Sequence, residues 1–453
     1  MQLDTSPSRW FTVLPFLAVA ATLANPGLAA AEANKAVLDQ VPALKKQIDA
    51  DYPRLEALYK LLHASAEVSL KEEKTAARMA RELRELGFEV TEKVGGYGLV
   101  GILKNGAGPT VLVRTDMDGL PVLEQTGVPY ASRTRMRDKD GRDVPTMHAC
   151  GHDMHMTCWT GTAKALVGCK DRWKGTLVFI AQPAEEIGAG ARMMLKDGLF
   201  ERFPRPDYCL ALHCDSAAPY GTVSYTDGLT TAHVDSFDIT VHGKGGHGSM
   251  PHTTIDPIVL SARIILDLQT IVSREVNPQD PVVVTVGSIH GGTKHNIIPP
   301  EVNLQLTVRT TKDATRKHVL EAIERLTKAA AKGARAPEPV IKLDLGNFTP
   351  AVTNDRPLAR KTAELFREVL GSDKVIERLP LMGGEDFGRL GREGVPIFLY
   401  FLGTVAPERV AQSLRDGEPL PSLHSDKYYP VPEPTIKTGV LTMTAAVLNL
   451  LGK

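Results

Sequence analysis

The stretch TLVFIAQPAEE, residues 176–186, runs from a short, mostly apolar segment straight into two adjacent carboxylates. Thr176 to Ala181 reads as a buried strand, bounded by glycine before and proline after. Comparable runs occur at Leu99–Leu103, Thr110–Arg114, Tyr208–Leu212 and Pro396–Phe401. Helical stretches lie between and around them: Val37–His63, Glu72–Leu86 with Gly87 as its stop, Met156–Val167, Leu358–Leu370 and Thr435–Leu451. Strands alternating with helices predict an α/β fold, a mostly parallel sheet flanked by helices on both faces.

From about Val234 the rhythm changes. Strand Ser236–His242, helix Pro257–Ser273, strands Pro281–Ile289 and Glu301–Thr310, helix Ala314–Lys332 and strand Val340–Leu345 follow in order. This β-α-β-β-α-β series, in about 110 residues, is a ferredoxin-like α+β unit inserted into the larger one. The expected division is residues 1–31, an export signal; 32–232, the first part of a catalytic domain; 233–347, the inserted lid; and 348–453, the second catalytic part.

A chain of 453 residues suits two domains. Its 53 basic and 53 acidic side chains cancel, which removes the electrostatic case for nucleic acid or an anionic membrane and leaves small molecules as the favoured partners. Arg9, the apolar run Trp10–Leu23 and the small residues Ala29–Ala31 fit a cleaved signal peptide. The run is shorter than the ~20 residues a span requires and contains Pro15, so no stable membrane insertion is expected after cleavage. The mature protein is expected in the periplasm or outside the cell. Cys150, Cys158, Cys169, Cys209 and Cys214 are odd in number and irregularly spaced, so they make no disulfide framework.

Polar side chains gather where these strands end, the place where α/β sheets hold ligands. Cys150 and His152, in MHACGHDMH (147–155), precede a helix. Glu185 and Glu186 follow one strand, His213 another, and His424 sits in a late loop. A packed cysteine beside a surface histidine is a competing reading of Cys150 and His152, an acidic first helical turn is one for the Glu pair, and a satisfied core histidine is one for His213. The functional reading gives one glutamate to a metal and its neighbour to proton transfer as general base. In the insert, the glycine-rich loop Gly243–His252 carries His247, a candidate to stabilise charge on a substrate carbonyl, and His252. Asn296, in a second loop, is either a turn residue or a substrate contact.

Taken together these residues resemble the M20 metallopeptidase family, in its amidohydrolase branch of N-acyl-amino-acid amidohydrolases, hippurate hydrolases and auxin-conjugate hydrolases. The landmarks are Leu62-His63 with Glu67 and Ser69, Arg114 to Pro121, Met147 to His155, Gln182 to Glu186, Leu212-His213, Gly243 to His252, Asn296 to Pro299, Gly384 to Phe387 and His424. The sequence departs from the family pattern at Ala66, where proline is common, at Met154, where glycine is usual, and at Gly119, where alanine is frequent.

The resemblance implies a zinc-exopeptidase-like fold and two divalent metal ions held by Cys150 (as bridge), His152, Glu186, His213 and His424. Thiolate, imidazole and carboxylate together suit zinc; manganese, cobalt and nickel fit the same donors. It implies Glu185 as general base, His247 as a lid histidine reaching a partner copy in a homodimer joined through the lid, and Asn296, with His252, as substrate contacts. Asp116, Asp118, Asp153 and His155, with His148, are expected to orient the ligands. The expected activity is metal-dependent hydrolysis of the amide bond in an N-acyl amino acid or dipeptide-like conjugate. The rivals are a dipeptidase or carboxypeptidase of the same fold, a metal-free amidase using Cys150 as nucleophile, and a binding protein on this scaffold.

Overall fold

The computed structural model describes residues 35–452 apart from Leu345 and Asn347, so the expected export segment lies outside the described residues. Helices α1 (Val41–Ala64) and α2 (Glu73–Glu85) lead into β1 (Glu89–Glu92), β2 (Leu99–Asn105) and β3 (Thr110–Asp116). A small hairpin of β4 (Arg135–Arg137) and β5 (Asp143–Pro145) precedes α3 (His152–Gly168), β6 (Gly175–Gln182), α4 (Gly190–Lys196), β7 (Tyr208–Pro219) and β8 (Val223–Tyr225). Next come β9 (His233–His242), β10 (Gly246–His247), α5 (Pro257–Thr270), β11 (Val282–His290), β12 (Ile297–Ile298), β13 (Glu301–Thr310), α6 (Asp313–Gly333) and β14 (Val340–Leu343). The chain closes with α7 (Arg356–Leu370), β15 (Val375–Glu377), α8 (Gly388–Arg392), β16 (Ile397–Val405), α9 (Pro407–Asp416) and α10 (Pro432–Leu451).

The main sheet has eight strands in the order β1-β2-β6-β3-β7-β16-β8-β15. Its centre is parallel, β6 to β3, β3 to β7 and β7 to β16, and antiparallel joins fall at β1–β2, β2–β6 and β16–β8. The apolar runs are continuous because both faces are buried. On β6, Leu177, Phe179 and Ala181 pack under α1, α2, α3 and α10, whereas Val178 and Ile180 face the core built with α4 and α8. β16 divides the same way, Phe398, Tyr400 and Leu402 against Ile397, Leu399 and Phe401. This strand runs to Val405 and β7 to Pro219, past the ends read from the sequence, so His213 lies within β7 and not after it.

The second sheet is antiparallel, in the order β11-β13-β9-β14 of a ferredoxin-like unit. β13 alternates exposed and buried residues, and Leu304, Leu306 and Val308 meet Ile264 and Leu268 of α5 and Val319 and Ile323 of α6. Asp256 caps α5 by accepting from the N–H groups of Ile258 and Val259. The Gly243–His252 stretch is more ordered than a plain loop, since β10 pairs with β12 and a short turn spans Pro251–Thr253.

The chain enters and leaves this unit side by side. Antiparallel bridges join Leu229 to Thr353 and Val234 to Thr349. Between them the N–H of Thr230 donates to the carbonyl of Val352 (2.8 Å), and the N–H of Ala351 donates to His233 Nδ1 (2.8 Å). A cleft of about 800 Å³ opens beside this crossing, lined by His233, Lys312 and Arg356 among others, and none of the strand-end cluster borders it. No helix among the described residues is long and apolar enough to cross a membrane.

A candidate metal centre at the strand ends

Three backbone turns in the left-handed region aim the clustered side chains. Gly151 (φ +84°) stands between Cys150 and His152 and starts α3, so that His152 is the first helical residue. A Cβ at Gly151 would lie 2.9 Å from Cys214 Sγ, so both conformation and space demand glycine. Ala184 (φ +52°) precedes the Glu pair and is tied by its N–H to Glu72 Oε1 (2.8 Å). His424 itself has φ +68°, and its N–H donates to the carbonyl of Ala149 (2.8 Å), which brings the late loop to Cys150. Left-handed non-glycine residues cost of order 1–3 kcal/mol and persist where the surroundings impose them.

Asp118 joins these turns. Its carbonyl accepts from His152 Nδ1 (2.7 Å), which leaves Nε2 to face the cluster. Its carboxylate accepts from the N–H groups of Glu185 (3.1 Å) and Glu186 (3.0 Å) and from Ser69 Oγ (2.6 Å). Around this anchor the side chains converge. Cys150 Sγ lies 3.5 Å from His213 Nε2, His152 Nε2 lies 3.8 Å from Glu186 and 3.9 Å from Glu185, and His424 Nε2 lies 3.4 Å from Glu186. Overlapping groups with metal-ligand geometry result, among them Cys150, His152 and His213; Cys150, Glu186 and His424; and His152, Glu185 and Glu186.

The donor set fits divalent cations. His152 Nε2 and Glu186 Oε1 are buried without a hydrogen-bond partner, a costly state unless a ligand takes them up. Burial first, then Glu385 and Glu186, hold the Glu185 carboxyl well above its ordinary range; Glu186 rises to about 7 through burial and the nearby Asp118. Negative charge is thus crowded at this point without enough positive charge from the chain. Cys150 is pushed well up by burial and by Glu186, the opposite of what a nucleophilic thiol requires. His155, a neighbouring imidazole that such a thiol would need as base, is committed on both ring nitrogens, to Asp116 (2.7 Å) and to the N–H of Cys214 (2.8 Å).

The residues expected to orient the ligands divide three ways. Asp118 does so directly. Asp116 and His155 hold each other, with Asp116 3.7 Å from His152 Nε2. Asp153 touches none of the five proposed ligands: it accepts from His63 Nδ1 (2.7 Å), whose Nε2 meets Glu124 (3.0 Å). Burial alone would lower the His63 pKa, but its bonds to Asp153 and Glu124 outweigh it and raise it to about 9. His148 is fully buried with neither ring nitrogen bonded, and burial lowers it to about 4.

A second buried network joins Asp116 to landmarks, Arg114, Gln182, Glu385 and Asp386, to which the sequence reading gave no task. Arg114, on β3, donates to Asp116 (2.6 Å) and Glu385 (2.8 Å) and reaches Asp386 (3.3 Å); Asp386 also accepts from Gln182 (2.6 Å) and the N–H of Ala191. Besides the landmark motifs, its signal was a charge at the end of the apolar run of β3. A cavity of about 340 Å³ opens from Glu185, Glu186 and Glu385 toward the second sheet, where Val234, Ser236 and Arg309 line it. Arg309 is half-buried, and among the described residues no carboxylate pairs with it.

His247, His252 and Asn296 are not brought to this site. They are exposed, with Asn296 accepting from the N–H of Gly248 beside β10 and His247 bonded to Ser249. Val234 borders the cavity near one end of β9 and Gly243 follows its other end, so at about 3.4 Å per residue they stand roughly 30 Å apart. The lid residues beside the Glu pair in the same chain are therefore those at the near end of its sheet.

A two-domain α/β molecule with a carboxylate-rich, thiol- and imidazole-bearing crevice at its strand ends has the architecture of a metal-dependent amide hydrolase. The model of peptidase family M20/M25/M40 matches residues 112–415, and the chain belongs to that family. It is 33% identical over 420 residues to thermostable carboxypeptidase 2 of Saccharolobus solfataricus, covering 92% of this chain and 100% of that one. It is 36% identical over 332 residues to the hippurate hydrolase of Campylobacter jejuni, covering 72% and 82%. The crystal structure of a dinuclear metal-binding M20 peptidase from Bacillus subtilis superposes with a TM-score of 0.71 at 29% identity, covering 89% and 100%.

Gly151→Ala is expected to lower unfolding free energy by about 1–3 kcal/mol and to weaken metal uptake, read by denaturant titration and by metal content after dialysis. The His63 interaction stabilises the folded state fully below its ordinary pKa of 6.5 and is lost as pH rises through about 9. The melting temperature of the wild type should therefore fall from pH 6.5 to 9 more steeply than that of His63→Ala; equal slopes would show that His63 is not charged in the fold.

Proposed function

We propose that the protein hydrolyses the amide bond of N-acyl amino acids, with Cys150, His152, Glu186, His213 and His424 holding two divalent cations and Glu185 serving as general base. The observation that carries this reading is the pair of buried, unbonded ligand atoms, His152 Nε2 and Glu186 Oε1, set against Cys150, His213 and His424. Zinc is the ion this donor set suits best. When bound, the cations supply Lewis acidity that polarises the amide carbonyl and acidifies the attacking water. Glu185 takes the proton from that water and returns it to the leaving amine. Asp118 keeps both glutamates in place through their N–H groups, and Arg114 fixes Glu385 beside the base. Arg309, facing the same cavity without a carboxylate partner among the described residues, meets the carboxylate of the amino acid. The carboxypeptidase name of the Saccharolobus relative supports a second reading, cleavage of a C-terminal residue from a blocked peptide, which would use the same machinery.

Glu185→Gln should lower kcat by about 10²–10⁴-fold while metal content per chain stays near that of the wild type. A variant that keeps most of its activity removes Glu185 from the role of base.

His247 serves, on this proposal, the site of a second copy. Its distance from its own Glu pair supports this, as do the exposed apolar side chains of the lid, Ile258, Val259, Leu266 and Ile289. His247→Ala and Glu185→Gln chains, each nearly inactive alone, should recover about a quarter of wild-type activity when refolded together, because half of a statistical mixture is heterodimer with one intact site. No recovery would place His247 outside catalysis in a partner's site.

A further inference from the structure

We infer that a second, apolar chamber beside the metal centre is the acyl subsite, and that it selects uncharged acyl groups much larger than acetyl. This rests on the proposed hydrolase function and adds which end of the substrate lies where. The chamber, about 320 Å³, opens on Cys150 and His213, and Arg309 is not part of its lining. Gly384 and Glu385 line both cavities, so an amide held between them has one substituent in each. Leu399 and Phe401 of β16 form one wall, and Leu381 and Leu423 come from the two neighbouring loops.

Charge in the chamber is internally matched. Arg378 lies 2.7 Å from Asp215 and stacks over the Phe401 ring at 4.5 Å, and Glu385 is held by Arg114 (2.8 Å) and the N–H of Phe387 (2.9 Å). A charged acyl chain, or the free ammonium of a dipeptide, finds no unpaired counter-charge there and loses its hydration. An apolar group displaces water from Leu381, Leu399, Phe401 and Leu423. Since one water occupies ~30 Å³, the space equals that of about ten waters. A benzoyl ring or a medium alkyl chain, at the ~150 Å³ of a benzene-sized cavity, occupies about half of it, and an acetyl methyl leaves most of it wet.

Gly383 gives a direct probe. It lines the chamber, its backbone is outside the left-handed region, and a Cβ placed on it has nothing within 4 Å, so a side chain is added there without a clash. The test is kcat/KM of the metal-loaded enzyme for acetyl, butanoyl, hexanoyl, benzoyl and succinyl derivatives of one amino acid, with the melting temperature of each variant as a folding control. In the wild type the value should rise about fourfold per methylene from acetyl to hexanoyl, as burial of each group dictates, with succinyl far below butanoyl. Gly383→Leu should reduce hexanoyl and benzoyl relative to acetyl by roughly tenfold or more. Leu381→Ala, at a rim position 36% exposed, should move the preference to longer chains. Turnover with a rank order unchanged by both variants, or with succinyl equal to butanoyl, overturns the acyl assignment alone. A wild type that cleaves no N-acyl amino acid overturns the hydrolase reading and this assignment together.

Discussion

Asp118 holds the site together. Two positions past the end of β3, it uses its carbonyl to fix the ring of His152 and its carboxylate to fix the N–H groups of Glu185 and Glu186, so three side chains of the cluster share a single origin. Burial works against its ionisation, and the bonds it accepts from His152, Ser69 and Glu186 still hold its pKa below the ordinary value. A carboxylate that is anionic and saturated with donors cannot drift toward a cation nearby. It therefore acts as scaffold, and on the proposed mechanism leaves metal binding and proton transfer to the pair it positions.

Around that anchor, charge is sorted by its neighbours. Arg114 neutralises one flank, where Asp116, Glu385 and Asp386 meet, and His63 neutralises another, between Asp153 and Glu124. The middle, with Glu185 and Glu186, is faced by the imidazoles of His152 and His424, and among the described residues no arginine or lysine pairs with it. Two carboxylate clusters held by fixed cations bracket one faced only by imidazoles, and that middle cluster is where a divalent ion would offset the cost of burying the carboxylates as anions.

The sequence made the larger plan legible because the sheet is buried on both faces, which turns its strands into apolar runs that need no context. The order of the inserted unit followed from its alternation of strands and helices. The candidate ligand positions were visible because Cys, His and Glu follow the apolar runs read as strands, and the family pattern then gave each a role, although β7 runs on past His213. The Arg114 network escaped because its partners lie 271 and 272 residues away, and only folding brings them together. Arg309 escaped for a different reason: on β13 it occupies an ordinary place in an alternating strand, and what matters is which end of that strand abuts the Glu pair. Asp153 was assigned by adjacency to His152, but consecutive residues at the start of a helix point about 100° apart, and it pairs with His63 instead.

The paired crossing between Leu229 and Thr353 governs how the two parts can move. Hydrogen bonds across it lock the entering and leaving segments in register, so neither can slip lengthwise past the other. Sliding and independent swivelling are closed off, and flexing across the face of this two-stranded ribbon is what remains. Opening and closing of the crevice is in this sense geared. Small bending near His233, at the root of β9, is magnified along the length of that strand into a sweep of the far end, where His247 sits, while Arg309 near the pivot hardly leaves the cavity.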